Sequence, residues 1–249
     1  MMRKILKVVL TLVIIIAAFL FFAPASLLDR SLDRASQGAW RLTETHGTLW
    51  NGNGLLTYAK GTVLAPLRWR FEPSALLGGA ARWRLLAEET TPSVSGVLTF
   101  SRQGLTLDGL SLHTSAAVLQ TIAPPEMVQA MEGALVIDIP SMKVNEQNQE
   151  GRISGHWQNA QMVFQQVPVD LGNVTFDIDA RQHGSQSTIK NDGGAVALDG
   201  NFQSDATGKP THGTLKITPR PDAPEALLRL LSSVGSPDAQ GSYYLDLNK

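Results

Sequence analysis

The chain has 249 residues, with 21 Lys and Arg against 22 Asp and Glu, and no cysteine. A net charge of −1 excludes the basic stripe expected of a nucleic-acid binder. The missing thiols exclude disulfides, thiolate nucleophiles and cysteine metal sites, so the fold must hold by core packing alone.

The chain opens with Arg3, Lys4 and Lys7, followed by a run from Val8 to Phe22 whose one polar residue is Thr11. As a helix, Ile5–Phe22 would rise about 27 Å, close to a bilayer core of about 30 Å if Lys7 snorkels. The reading is a short cytoplasmic N-terminus over 1–4, a transmembrane helix over 5–22, and a periplasmic β-rich domain over 23–249. The cations flank the cytoplasmic side, as the positive-inside rule requires. A cleaved signal peptide is the alternative, because Ala23-Pro24-Ala25 resembles a small-x-small site. Against cleavage, the run is long for a signal core and stays rich in Ile, Leu and Phe up to that site. Both readings export the remainder, which carries about −4 once the three N-terminal cations are set aside.

Ser26–Ala35 is predicted as a helix, with Leu27, Leu28 and Leu32 on one side. After it a short pattern recurs: a glycine, then apolar residues on alternate positions. It starts at Gly47, Gly54, Gly96, Gly133, Gly172, Gly213 and Gly241. Period two means a strand with one apolar face, and each leading glycine is expected to supply the turn or bulge that begins it. Further strands are expected at Leu67–Phe71, Ala81–Ala87, Leu105–His113, Arg152–His156, Gln161–Gln165, Gln186–Lys190 and Ala195–Phe202. Helical turns are expected at Pro73–Leu77, Ala116–Ile122 and Pro125–Met131, and Asn145–Gly151 reads as an exposed loop. A last helix, Pro224–Ser233, has Pro at its start and Gly235 after its end. Its Leu227, Leu228, Leu230 and Leu231 form a stripe that could cover one end of a sheet.

Many short strands at close spacing give a mainly β fold, a large and mostly antiparallel meander. Its helices are too few to cover one face, so the expected architecture is a curved sheet folded over on its apolar side, a trough with short capping helices.

Arg68-Trp69-Arg70 and Arg82-Trp83-Arg84 are the leading candidate site. On strands, Arg points one way and Trp the other. Pro73–Gly79 could reverse the chain so that the triplets face each other. The arginines would then contact a partner protein or phospholipid headgroups, with the tryptophans as anchors. In the structural reading the tryptophans are core, and the arginines are solvated or paired with Glu72, Glu88 and Glu89. Asp177 and Asp179, with Asp138 on another strand, read as a solvated face. His46, His113, His156, His183 and His212 have no ligand spacing, and no nucleophile elbow or phosphate loop is present. No catalytic set, metal or cofactor is expected.

Gly47-Thr-Leu-Trp50-Asn-Gly52, then Leu67–Pro73 and Ala75-Leu-Leu77-Gly-Gly79, resemble the type II secretion system protein N family, also called general secretion pathway protein N. The segments correspond to Gly-Thr-Leu-Trp-x-Gly and Trp-x-x-x-Pro-x-x-Leu-Leu, and they cover about residues 38–86. The resemblance implies an envelope component that helps export folded proteins across the outer membrane. It implies a single membrane span, a β-rich periplasmic body, and kinship with AsmA-like proteins whose sheets form an apolar trough. It carries no catalytic residues, and Gly47, Trp50, Gly52, Trp69, Pro73 and Leu77 would be fold-defining. Two functional readings remain open. One is an accessory, non-enzymatic inner-membrane component that docks on other secretion proteins. The other is a lipid module that holds phospholipid acyl chains on the apolar face.

Overall fold

The computed structural model describes residues 22–58, 62–87, 91–121, 128–145, 148–206, 209–221 and 223–246. The expected membrane span lies outside them, apart from Phe22. Among the described residues no helix is long and apolar enough to cross a membrane.

The body is one open antiparallel sheet of 13 strands, each hydrogen-bonded to its neighbours in sequence. The strands are β1 (Trp40–Gly47), β2 (Asn51–Tyr58), β3 (Thr62–Phe71), β4 (Ala81–Leu86), β5 (Ser93–Ser101) and β6 (Gly104–Ser115). They continue as β7 (Val128–Val144), β8 (Gln149–Phe164), β9 (Val167–Arg181), β10 (Gly184–Asp192), β11 (Val196–Asp205), β12 (Pro210–Pro219) and β13 (Tyr243–Asp246). The meander expected from the alternation is thus present.

The strands are longest in the middle. β7 alone has 17 residues, or roughly 55 Å of extended chain at ~3.3 Å per residue. Arg152–His156 and Gln161–Gln165, expected as two strands, are one strand, β8. The chain bulges at Asn159, whose φ is 49°, and continues in the same direction. Val128–Met131, expected to be helical, begins β7, because pairing with Met162–Phe164 outweighs local preference. Residues 122–127 of that stretch lie outside the described set. Of the turn or bulge expected at each leading glycine, Gly96 and Gly133 supply a bulge: they sit inside β5 and β7 at register shifts, where an extra residue bends the strand.

The apolar residues share one face. One cluster gathers Leu42, Ala65, Trp69, Leu85 and Val94, with Ala25 and, from α1 (Ser26–Ala35), Leu28 and Leu32 packed on it. The second gathers Leu135, Trp157, Val169, Val174 and Val196, covered by Leu227 and Leu231 of α2 (Glu225–Val234). Leu27, expected on one side with Leu28 and Leu32, is exposed, and so is Leu228 of the stripe that could cover the sheet. Each helix therefore covers one end. Between them Ile137, Ile153, Phe176, Ile178, Ile189 and Leu215 are only half-buried. This is a row of apolar side chains along the middle of the inner face.

The sheet curls toward that face. β4 pairs only with Arg68–Phe71 of β3, leaving the start of β3 without a neighbour on that side. In a flat sheet β3 and β6, three strands apart, would lie about 14 Å from each other. Here the Thr114 hydroxyl of β6 donates to the Leu64 carbonyl of β3 at 3.1 Å, and both residues are buried.

A candidate docking surface on the paired Arg-Trp-Arg strands

The chain reverses between β3 and β4 through a 3-10 helix, Pro73–Gly78, with Pro at its start and Gly79 in the left-handed region after it. The reversal sets Phe71 opposite Trp83 and Arg70 opposite Arg84. The two Arg-Trp-Arg triplets are therefore brought side by side, as the spacing suggested.

Their two faces differ. On the outer face, Arg68, Arg70, Arg82 and Arg84 are all exposed. Arg70 and Arg84 would repel as a directly opposed pair. Glu72, one residue beyond the strand, relieves this. Its carboxylate oxygens lie 2.5 Å from Arg84 Nη2 and 3.8 Å from Arg82 Nη1. Arg82 Nε also donates to the Thr99 hydroxyl on β5 at 3.3 Å. Of the acidic partners expected for these arginines, Glu72 is engaged, and Glu88 and Glu89 lie outside the described residues.

On the inner face the tryptophans act on a turn far away in sequence. Trp69, 2% exposed, donates its indole N–H to the Thr48 carbonyl at 3.1 Å. Trp83 donates to the next carbonyl, Leu49, at 3.0 Å. The Phe71 amide takes the Trp50 carbonyl at 2.6 Å. Three successive carbonyls of the β1–β2 turn are thus held by β3 and β4. Trp50, Phe71, Trp83 and Phe100 follow one another across the strands at centroid spacings of 4.6, 5.1 and 5.8 Å.

This explains the Gly-Thr-Leu-Trp-x-Gly segment. Gly47 was expected to begin a strand, but it ends β1 at φ +89°, where a Cβ would lie 2.5 Å from the Asn51 carbonyl oxygen. A Cβ on Gly52 would meet the His46 carbonyl and lie 2.6 Å from the Trp69 ring. Both positions require glycine for space, and Gly47 also for its backbone. The chain leading in from Phe22 joins the same turn. The Ala25 amide donates to Gly47 O at 3.2 Å, and Leu49 donates to Ala23 O at 2.8 Å. Leu77, also in the resembling segment, is 94% exposed at the hairpin tip, and Pro73 opens the 3-10 helix beside it.

A feature the sequence reading missed protects the first edge of the sheet. Asp29 of α1 accepts from the Leu42 amide at 2.9 Å, and Ser36 Oγ accepts from the Trp40 amide at 2.9 Å. Arg41 sits 2.9 Å from Asp29. The Arg41 hydrogen bond, aided by the Leu42 amide, holds the Asp29 carboxyl below the usual carboxylate range. The Asp29-Arg-Ser-Leu-Asp33 spacing on α1 gave no cue that one of its carboxylates would cap a strand edge.

The remaining candidates stay apart. Asp177 is exposed on β9, Asp179 pairs with Arg181 at 2.6 Å, and Asp138 accepts from the Ser111 hydroxyl at 2.6 Å. All five histidines are exposed. Among the described residues no group of three or more His, Asp or Glu could hold a metal ion. An apolar hollow of about 260 Å³ lies between β7, β8 and β9 near Pro224.

The comparison with known proteins bears on the whole sheet. The family model described as "Type II secretion system (T2SS), protein N" matches residues 38–246, from the start of β1 to the end of β13. The chain belongs to this family. It is 27% identical over 243 residues to the type II secretion system protein N of Klebsiella pneumoniae, covering 93% of this chain and 92% of that one. It is 26% identical over 211 residues to the protein of the same name from Vibrio cholerae serotype O1, covering 81% of each. No solved structure matches. Family membership makes the chain a component of the type II secretion system, with other proteins of that system as its partners.

Proposed function

We propose that the chain is an accessory, non-enzymatic inner-membrane component of the type II secretion system. Residues 5–22 anchor it and residues 23–249 lie in the periplasm, where the sheet docks on other components. The observation that carries this reading is the family match running the full width of the sheet. The run of apolar residues ending at Phe22 supports the anchor.

Docking by added strand pairing fits one side better than the other. Asp29 of α1 and Ser36, just after it, occupy the β1 edge at Leu42 and Trp40. At the far edge the last strand of the sheet, β13, is four residues long and, among the described residues, pairs with Thr214–Ile217 of β12. The test is deletion followed by complementation. The reading expects reduced export of the system's substrates, or loss of its other envelope proteins. Unchanged secretion with unchanged partner levels would refute it.

A second reading rests on the half-buried apolar row between the two covering helices. Acyl chains of a phospholipid would lie along Ile137, Ile153, Phe176 and Ile189. Native mass spectrometry of the full chain released gently from detergent should then show retained phospholipid. A clean protein mass with the fold intact would refute it.

A further inference from the structure

In an up-and-down meander every second connection lies at the same end. The segment leading in at Phe22–Ala25, the β1–β2 turn, the β3–β4 tip and the β5–β6 turn therefore share one end of the sheet. Exposed large apolar side chains concentrate there. Phe22 is 72% exposed, Leu76 56%, Leu77 94% and Phe100 50%, and Leu27 stands exposed one turn along α1. Phe100 pairs with Ala81, the first residue after the tip.

Positive charge rims the same end. Arg70 and Arg82 flank the 3-10 helix, Arg84 lies one pleat higher, and Arg102 sits in the β5–β6 turn, all exposed. Among the described residues, the carboxylate engaged with these guanidiniums is Glu72, whose oxygens are already shared by Arg82 and Arg84. Apolar tips ringed by arginine suit the boundary between lipid tails and acidic headgroups. The point where the apolar run of residues 5–22 meets the sheet lies at this end, through the Ala23 and Ala25 hydrogen bonds to the β1–β2 turn. An anchor there would hold this end against the bilayer.

We propose that the Leu76–Leu77 tip, with Phe22 and Phe100, dips into an anionic membrane surface. Arg70, Arg82 and Arg102 engage lipid phosphates, and the sheet stands end-on to the membrane. The inference rests on the anchored reading above, and the experiment separates the two. The chain has no cysteine, so a single Leu77→Cys carries one environment-sensitive fluorophore. Leu77 is 94% exposed, so the fold tolerates the change. Ala226→Cys on α2, at the opposite end, is the reference.

The full chain is reconstituted in phosphatidylcholine vesicles with and without phosphatidylglycerol, and quenched by nitroxide-bearing lipid. The expected result is blue-shifted, quenched emission at position 77 and not at 226, stronger with phosphatidylglycerol. Arg70→Gln and Arg82→Gln should each lower the ratio of dipped to undipped tip by about fivefold. A label at 77 as wet as that at 226 overturns the proposal, as does equal quenching without phosphatidylglycerol. Carbonate extraction of the same vesicles tests the anchor alone. A chain that resists extraction while its tip stays in water loses only this inference, and a chain that washes off loses both.

Discussion

The capture of the β1–β2 turn by two indoles can be tested by Trp69→Phe. Phenylalanine keeps an aromatic ring but removes the N–H that donates to Thr48 O at 3.1 Å. Trp69 is 2% exposed, so water reaches the abandoned carbonyl poorly, at a cost of about 1–2 kcal/mol. The smaller ring leaves a void against Gly52, whose space the indole now fills. That adds about 1 kcal/mol. The expected destabilisation is therefore about 2–3 kcal/mol, or a melting temperature lower by roughly 5–10 °C for a body of this size.

Trp83→Phe is the comparison. It loses an equivalent bond to Leu49 O at 3.0 Å, but Trp83 is half-buried and water can substitute, so the cost is about 1 kcal/mol. The two carbonyls belong to successive residues of one turn. The double variant should therefore depart from additivity by about 0.5 kcal/mol or more. The assay is thermal unfolding of the full chain in mild detergent, followed by far-ultraviolet circular dichroism. If Trp69→Phe falls within about 0.5 kcal/mol of wild type, the indole bond does not hold the turn, and the account of Gly47–Gly52 fails with it.

Leu135→Ala, at a side chain with 0% exposure, should cost about 3 kcal/mol in the same melt by opening a cavity beneath Trp157. Asp29→Asn should destabilise by about 1 kcal/mol at neutral pH by weakening the cap on Leu42. Because the folded Asp29 carboxyl titrates below its unfolded value, that contribution is complete above about pH 4 and fades as pH falls through the folded value. The wild-type and Asp29→Asn melting curves should therefore converge on acidification, and a constant gap would contradict the assignment. Glu72→Gln releases two exposed arginines. It should change stability by under about 1 kcal/mol while raising retention on anionic vesicles, read as a steeper salt dependence of binding.

Much of the fold was legible because alternation and helix punctuation are local signals. Strands with period two, α1, and α2 between Pro224 and Gly235 all appear where their patterns lie. The misreadings arose where a long-range contact decides. At Gly96 and Gly133 the sequence left turn and bulge open, because a glycine in a bulge and a glycine in a turn are written alike. Whether the chain reverses there depends on the neighbouring strand. Val128–Met131 could serve a helix or a strand, and pairing with β8 settles it. At the candidate site, alternation gave the opposed faces of the Arg-Trp-Arg triplets and the turn between them. It could not give the targets of the indoles, because Thr48 lies 21 and Leu49 34 residues from its donor.

The contacts near the N-terminus also constrain how an open sheet of 13 strands can present itself. Such a sheet has two edges, and each invites pairing with other chains. At β1 the edge is closed by α1, and α1 is held by the same segment, Ala23–Ala25, that hydrogen-bonds to the β1–β2 turn. Closure of that edge and attachment of the incoming chain are therefore one structural unit. Tension on the incoming chain loads the turn that Trp69 and Trp83 hold from behind, and the first strands resist it as a block. At β13, α2 meets the strand on the inner face, where Ser232 Oγ lies 3.3 Å from the Tyr243 hydroxyl. Lys216 sits above the Tyr244 ring, 5.9 Å from its centroid, and among the described strands none pairs with β13 on its other side. An edge closed beside the incoming chain sets β1 apart from the β13 edge and gives the molecule a direction. Under the docking reading, a partner that adds a strand would therefore meet the sheet at β13 and not at β1.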